Sequence, residues 1–306
     1  MEDKLTKDEA VYFVSNVLDI AEAEEKLVTD RKIFLDQLVQ RIHEDIPFQN
    51  LFLLSMEPEN RHLPTWIEIK ESMMRKRGGL CYIINVFMKY LLQALGFNAY
   101  HATCSVYFPN NHITTIIRDL TSDGSKHLVD FSGYPFFKAI PLDFEEESPV
   151  YNMSFLTCKF IREQKLIVRL HQIQNIYQCS SSSYFDSCQG ISDNWFRFCV
   201  IDPEPRELNY FEEDMTKVFT VPGANSPFLE TLRIVRFPGL KLCAVKNDFE
   251  LSEGDNHRVK SKKFSSKAEV AKFIRKNYSP FPEDMILSGI DRIDIFNTPS
   301  VFKYQT

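Results

Sequence analysis

The chain of 306 residues is 44% hydrophobic and 25% charged, with only 10 glycines, a balance typical of folded globular proteins. This composition excludes a disordered, collagen-like or low-complexity chain. With about 150 residues per domain as a guide, the length predicts two or three structural units. The net charge of −6, without a long basic stretch, argues against a nucleic-acid partner.

The distribution of charged and apolar residues also indicates where the protein works. Residues 1–7 carry too many charges for a signal peptide. The longest apolar stretch, residues 80–95, is interrupted by Asn85, Lys89 and Gln93, so it does not predict a membrane span. We therefore expect a cytoplasmic protein without a membrane partner.

The seven cysteines form an odd set without a C-x-x-C pair. This pattern fits neither a disulfide framework nor a zinc site, so we expect reduced thiols and no bound metal. Most free cysteines are small buried side chains, and a chemical role for one of them requires suitable partners.

Helical periodicity dominates residues 1–97. Thr6 and Asp30 are each suited to cap a helix with one buried apolar face. A third helix is predicted to begin close to Cys81 and to end at Gly96, because the apolar residues between them recur on one face. These features predict an N-terminal helical bundle.

Short β-prone segments separated by turn residues dominate residues 98–203, which predicts an antiparallel sheet or barrel. Tight turns are expected at residues 109–111 and 122–124, and a solvated loop is expected at residues 180–183. The Pro-Glu-Pro sequence at residues 203–205 is expected to interrupt the sheet.

The last part of the chain mixes both patterns. A connecting segment with one helix is predicted over residues 204–230. Strand-like segments and a helix capped by Ser265 or Ser266 then predict a small strand-and-helix unit over residues 231–306. The fold class is therefore expected to be α+β.

The segment Arg-Gly-Gly-Leu-Cys at residues 77–81 combines a flexible turn with a thiol at the expected start of an apolar helix. The dipole and free amides of a helix N-terminus favour thiolate over thiol, and the same amides can hold an oxyanion. The alternative is a buried structural cysteine. A thiolate nucleophile needs a base and a group that orients the base. His112 and Asp130 are the candidates, because each lies at the edge of a β-segment.

Together these residues resemble the signature of the arylamine N-acetyltransferase family. The resemblance rests on Arg-Gly-Gly-x-Cys at residues 77–81, followed by Asn85, His112 and Asp130. The Pro-Phe-Gln-Asn-Leu sequence at residues 47–51 is similar to the family's Pro-Phe-Glu-Asn-Leu segment. The similarity extends to Asn-Ser-Pro and the strands that follow it, so it covers nearly the whole chain.

The resemblance implies a helical bundle that carries the nucleophile, a central antiparallel β-barrel that carries histidine and aspartate, and a C-terminal α/β lid. It also implies that Cys81 takes an acetyl group from acetyl-CoA, releases CoA and passes the acetyl group to an aromatic amine or hydrazine. His112 would be the general base, and Asp130 would fix its imidazole.

The resemblance further implies residues that support the site and bind substrates. The supporting residues would be Arg77, Gly78, Gly79 and Asn85. Gly133 and Ser226 would contact acetyl-CoA or another acyl-CoA, which acts as a co-substrate, so no tightly bound cofactor is expected. The acceptor pocket would be lined by Phe48, Tyr107 and Phe108.

The chain departs from the family pattern in three places. After Asp130 the family usually continues with x-Gly-Phe-Gly, whereas residues 131–135 read Phe-Ser-Gly-Tyr-Pro, which is stiffer. The loop before His112 is shorter, and Ile83 replaces a polar residue. Three alternatives therefore stay open: a different acyl-CoA or acceptor, a non-catalytic binding homologue, and a cysteine hydrolase that delivers the acyl group to water.

Overall fold

The computed structural model describes the chain from residue 4 to residue 297 with four gaps. The described ranges are 4–106, 108–172, 190–192 (backbone only), 194–223 and 226–297. Tyr107 and the predicted loop at residues 180–183 lie outside the described residues.

The first part of the chain is helical, as the sequence predicted. Its helices are α1 (Lys7–Tyr12, continued by a π-helical turn over Phe13–Val17), α2 (Ala23–Thr29), α3 (Arg31–Asp45), α4 (Leu51–Ser55), α5 (Trp66–Met74) and α6 (Cys81–Ala94). Thr6 caps α1 through the backbone amide of Glu9, and Asp30 caps α3. Gly96, at a φ of 82°, follows the end of α6, which confirms the predicted stop.

The middle of the chain forms an antiparallel sheet. Its strands are β2 (Asn98–Val106), β3 (Phe108–Arg118), β4 (Lys126–Val129), β5 (Ile140–Pro141), β6 (Tyr151–Met153), β7 (Leu156–Glu163), β8 (Leu166–Gln172), β9 (Gly190–Ser192) and β10 (Trp195–Arg206). Within the described residues their order is β5-β4-β3-β2-β10-β8-β7-β6, with β9 on β10. The sheet is a curled half-barrel, and α6 packs against β2 and β3.

One detail of the predicted sheet was wrong, and a second holds only in part. Residues 109–111 lie within β3, because Val106 already pairs with Phe108 where the hairpin reverses. The interruption expected at residues 203–205 affects only the pairing: β10 continues to Arg206, but its register against β2 shifts between Asp202 and Arg206. A register shift against β2 accommodates the two prolines, since the bulge removes the need for their amides in the ladder.

The C-terminal part forms a second antiparallel sheet with helices against it. Its elements are α7 (Glu212–Thr220), β11 (Arg233–Arg236), β12 (Cys243–Lys246), β13 (Phe249–Glu253), β14 (Val259–Lys263), α8 (Lys267–Asn277) and α9 (Glu283–Asp291). Ser266 caps α8, as one of the two predicted caps. The sheet order is β1-β11-β12-β13-β14, where β1 (Phe48–Gln49) comes from the N-terminal part of the chain.

The α+β fold class is confirmed, while the residue boundaries of the predicted units stay a prediction. In the described part of the chain, no helix combines the length and the apolar character that crossing a membrane requires.

Candidate active site

The thiol of Cys81 lies at the start of α6. Cys81 is the first residue of this helix and is only 2% exposed. Leu80, the N-cap residue, makes no side-chain hydrogen bond to the first turn. The positive end of the helix dipole therefore lies beside the sulfur, where it favours negative charge.

The glycine turn before Cys81 fits closely against residues 47–49. Gly78 has a φ of 63°, and a Cβ added there would lie 1.9 Å from the carbonyl oxygen of Pro47. The amide of Gly79 donates to the same oxygen at 3.2 Å, and the amide of Gln49 donates to the carbonyl of Gly79 at 3.0 Å. Only glycine at position 78 permits this approach, which fixes the entry of the chain into α6.

Asn85 connects the first turn of α6 to the loop after Asp130. Its Nδ2 donates to the carbonyl of Cys81 at 3.1 Å and to the carbonyl of Phe131 at 3.3 Å. The side chain of Arg77 points elsewhere, since its Nε donates to the carbonyl of Pro280 at 3.3 Å.

His112 and Asp130 are in direct contact. His112 lies on β3, Asp130 directly follows β4, and the two strands pair. Nε2 of His112 lies 2.5 Å from Oδ1 of Asp130, and each residue is 5% exposed. Because Asp130 engages Nε2, Nδ1 is the ring nitrogen left for a bond to Cys81.

The charges around His112 favour its protonated form. Burial lowers the pKa of His112, but the charges of Asp130 and Cys81 and its hydrogen bonds to both raise that pKa well above the usual value. The centre therefore suits an imidazolium held between a sulfur and a carboxylate.

Asp130 has further partners besides His112. Its Oδ2 accepts from the hydroxyl of Ser132 at 2.8 Å and from Nη1 of Arg169 at 3.3 Å. Burial raises the pKa of Asp130, but the charge and hydrogen bond of His112, with help from Arg169 and Ser132, lower it to about 2. The carboxylate is therefore ionised across the physiological range.

The sequence reasoning missed Arg169 and Ser132. Arg169 lies in the middle of the buried run of β8, residues 167–171, which is apolar apart from Arg169 and His171. Buried arginines are rare unless they are paired, so a cation inside an apolar strand was an available signal. Ser132 falls in the segment that departs from the family pattern.

The predicted substrate-binding residues are only partly brought together. Gly133 has a φ of 76°, and a Cβ added there would lie 3.0 Å from the ring of the buried Phe48. Ser226 is buried in the loop before β11. Phe108 begins β3 at the hairpin, and Tyr107 lies outside the described residues.

A cavity lies between the loop after Asp130 and the C-terminal sheet. Its volume is about 40 Å³, it is open to solvent, and it is lined by residues 132–134 and by residues of β11, β12 and β13 together with Leu242. Arg233 and Lys246, which pair across these two strands, supply cationic side chains to its lining.

Comparison with known proteins identifies the family. A family model described as N-acetyltransferase matches residues 34–279. A probable arylamine N-acetyltransferase 2 of Dictyostelium discoideum is 31% identical over 108 residues. The chain belongs to the arylamine N-acetyltransferase family. The alignment with the Dictyostelium relative covers 33% of this chain and 35% of the relative, about a third of its length.

Solved structures of arylamine N-acetyltransferases share the fold. The Mycobacterium smegmatis protein has a TM-score of 0.65 and 20% identity, over 85% of this chain and 91% of that chain. The Mycobacterium marinum protein, in complex with CoA, has a TM-score of 0.71 and 14% identity, over 91% and 97% of the two chains. The predictions of family and fold, and of an enzyme of this family, are therefore confirmed.

Proposed function

We propose that this chain is an acetyl-CoA-dependent N-acetyltransferase that carries the acetyl group on Cys81 as a thioester. The acceptor is an aromatic amine, a hydrazine or a related amine. The proposal depends most on one observation, the direct contact between the buried His112 and Asp130 beside the thiol at the start of α6.

In the first step His112 holds the thiol proton while the thiolate of Cys81 attacks the carbonyl carbon of acetyl-CoA. A carbon–sulfur bond to Cys81 forms, the bond to the CoA sulfur breaks, and CoA leaves with the proton from His112. Amides at the start of α6 are suited to stabilise the oxyanion. Exchange of one thioester for another is nearly neutral in free energy.

In the second step the amine attacks the thioester carbonyl. His112 takes a proton from the amine nitrogen, the bond to Cys81 breaks, and the amide leaves. Asp130 holds the imidazole in one orientation and stabilises its charged form in both steps. The thiolate–imidazolium pair is then restored.

The remaining predicted residues support or surround this chemistry. Gly133 and Ser226 contact the acyl-CoA, and the cationic lining of the adjacent cavity suits the phosphate groups of CoA. Phe48 and Phe108 line the acceptor pocket, and the same role of Tyr107 stays a prediction from the family resemblance. The turn and its neighbours hold Cys81 in place, namely Arg77, Gly78, Gly79 and Asn85.

A second candidate uses the same centre with another acyl donor or acceptor. The loop after Asp130 favours it, because Phe131 and Phe136 are buried and fill space near the reactive centre. A narrower site would select donors and acceptors by size.

Two-substrate kinetics test the proposal. With acetyl-CoA and a panel of aromatic amines, hydrazines and alkyl amines, we expect amide product and parallel double-reciprocal lines, since CoA leaves before the amine reacts. Cys81→Ala should abolish turnover, and Cys243→Ala, a half-buried thiol on β12, should retain it. Intersecting lines would contradict a thioester intermediate. Free acetate without amide would identify a hydrolase, and faster turnover of propionyl-CoA or malonyl-CoA would favour the second candidate.

A further inference from the structure

The guanidinium of Arg169 is held from several sides. Arg169 is only 1% exposed. Nη1 donates to Oδ2 of Asp130 at 3.3 Å, and Nε donates to Nε2 of His171 at 2.8 Å. Its Cζ lies 3.8 Å from the ring centre of Phe136 and 4.6 Å from that of Phe198. The orientation of the charge is therefore fixed by hydrogen bonds and aromatic rings.

Stability alone does not explain this arrangement. Burial of a guanidinium is costly, and a buried ion pair is often no more stable than apolar side chains of similar volume. Nη2 of Arg169 is buried without a hydrogen-bond partner in the described part of the chain, which adds to the cost. Because the buried guanidinium of Arg169 costs stability, its presence points to a role in the behaviour of its ionic partner, Asp130.

We propose that Arg169 is a positioning residue of the reactive centre. It holds Oδ2 of Asp130 so that Oδ1 faces His112, and its positive charge balances the buried negative charge of the carboxylate. The inference rests on the proposed roles of Cys81, His112 and Asp130. Arg169 does not contact the reacting atoms, and it acts through the carboxylate.

Charge balance shows what Arg169 contributes. With a thiolate and an imidazolium, the four groups Cys81, His112, Asp130 and Arg169 carry no net charge. When Cys81 is acylated it carries no charge, and a neutral imidazole then again gives the four groups a net charge of zero. Arg169 therefore disfavours a charged imidazole in the acyl-enzyme, and His112 is then ready to accept a proton from the amine.

Most of the neighbouring titratable groups favour their neutral form, and Cys199 is the exception among them. On β8, burial and the charge of Arg169 lower the pKa of His171 well below its usual value, so His171 is a neutral acceptor. On β7, burial raises the pKa of Cys158 to about 11. On β2, burial raises the pKa of Cys104 well above the usual value. The pKa of its partner Cys199 on β10 is lowered, because the hydrogen bond with Cys104 and the charges of Arg169 and His112 outweigh burial. His43 of α3 also faces Asp130, and burial lowers its pKa to about 4.

Three variants test the proposal. Arg169→Met removes the charge but retains an unbranched side chain that suits the aromatic rings, and Arg169→Lys retains the charge without the planar fork. The matched control is Arg162→Met on the neighbouring strand β7. Arg162 donates to the carbonyls of Leu142 and Phe144 and has no hydrogen bond to Asp130 among the described residues.

The first readout is the pH dependence of Cys81 alkylation by iodoacetamide, which requires no CoA. We expect Arg169→Met to shift this profile upward by about one pH unit, because a carboxylate that is no longer held in place stabilises the imidazolium of His112 less well, and the imidazolium in turn stabilises the thiolate. Single-turnover acylation by acetyl-CoA should slow by about 10- to 100-fold. Arg169→Lys should show smaller changes of the same sign, and Arg162→Met should stay within about twofold of wild type.

The second readout is a double-mutant cycle with Asp130→Asn. If Arg169 acts through the carboxylate, Arg169→Met should change alkylation by no more than about twofold in the Asp130→Asn background. If Arg169→Met lowers the alkylation rate without shifting its pH dependence, the proposal is overturned and a purely structural role is indicated. The same holds if Arg169→Met lowers the alkylation rate equally in the wild-type and Asp130→Asn backgrounds. Should Arg169→Met fail to fold, Arg169→Lys carries the same test.

The outcomes separate this inference from the proposed function. If wild type shows no acylation, the proposed function fails, while the alkylation profiles still report on Arg169. If wild type is acylated and Arg169→Met leaves the alkylation profile unchanged, only the inference about Arg169 fails.

Discussion

The His112–Asp130 pair makes folding stability depend on pH in two opposite directions. The pKa of His112 is raised in the folded state, so its contribution to the free energy of unfolding is complete below about pH 6.5 and is lost as pH rises through the raised pKa. The pKa of Asp130 is lowered to about 2, so its contribution is complete above about pH 4 and is lost as pH falls towards that value.

We therefore expect His112→Gln to cost less stability at about pH 9 than at about pH 6. Urea unfolding of both proteins at the two pH values measures this difference, and the other buried histidines cancel because both proteins contain them. The same cost of His112→Gln at both pH values would contradict the expected charge on the imidazole.

The residues of the candidate site differ in how far the sequence predicts them. Cys81, His112 and Asp130 were predictable as candidates, because a glycine turn, a helix start and strand ends are local signals. Arg169 was not predicted, because its partner Asp130 lies 39 positions away in the chain. Their contact depends on the curl and strand order of the sheet, which no local pattern contains.

The turn that delivers Cys81 to α6 depends on Gly78. Gly78 and Gly124 both have positive φ values, 63° and 77°. Around Gly124 no atom lies within 4 Å of an added Cβ, whereas at Gly78 that atom would meet the carbonyl of Pro47 at 1.9 Å. Substitution of Gly124 therefore introduces backbone strain alone, whereas substitution of Gly78 introduces backbone strain and a steric clash.

Gly124→Ala should cost about 1–2 kcal/mol of unfolding free energy, from backbone strain alone. Gly78→Ala should cost clearly more, because the turn must also move away from residue 47, and it should slow alkylation of Cys81. Urea unfolding and iodoacetamide kinetics measure the two effects. Equal losses for the two variants, with unchanged alkylation, would contradict a role of the close approach at Gly78.

The helices and strands that were predicted correctly carry strong local signals. Asp30 caps α3, and the apolar face of α6 is continuous up to the glycine that ends it. The hairpin between β2 and β3 was misplaced because Pro-Asn-Asn is a turn signal. In the structure the amide of Val106 donates to Oδ1 of Asn111, so an asparagine side chain completes hydrogen bonds inside the ladder.

The N-terminal segment and the C-terminal sheet are joined through Asn50. This side chain is fully buried, and its Nδ2 donates to the carbonyls of Phe228 and Thr231 at 2.7 and 2.5 Å. Its Oδ1 accepts from the amide of Arg233 at 2.8 Å. Together with the pairing of β1 and β11, these bonds tie the segment beside the Gly78 turn to the distant end of the chain.

Asn50→Ala should lower the free energy of unfolding by about 2–3 kcal/mol, because it leaves buried backbone groups without partners. Asn98→Ala is the matched control. It removes an exposed side-chain bond to Asp119 and should cost less than about 1 kcal/mol. Urea unfolding measures both values, and equal costs would contradict the importance of this connection.

The arrangement of the whole chain was predicted through the family resemblance and not through local patterns. Periodicity and turn signals gave the classes of element along the chain. They did not indicate that β1, near residue 48, completes a sheet with strands that begin at Arg233. Pairing over such separations depends on the assembled core, where contacts form between residues that are distant in sequence.

The most direct test of the account is mass spectrometry of the intact protein and its peptides after brief exposure to acetyl-CoA without an amine. We predict one acetyl group on Cys81, with release of CoA, and its removal when an aromatic amine or hydrazine is added. Cys243→Ala should give the same result, and Cys81→Ala should stay unmodified. Release of CoA without modification of Cys81, or acetylation of a different residue, would contradict the account.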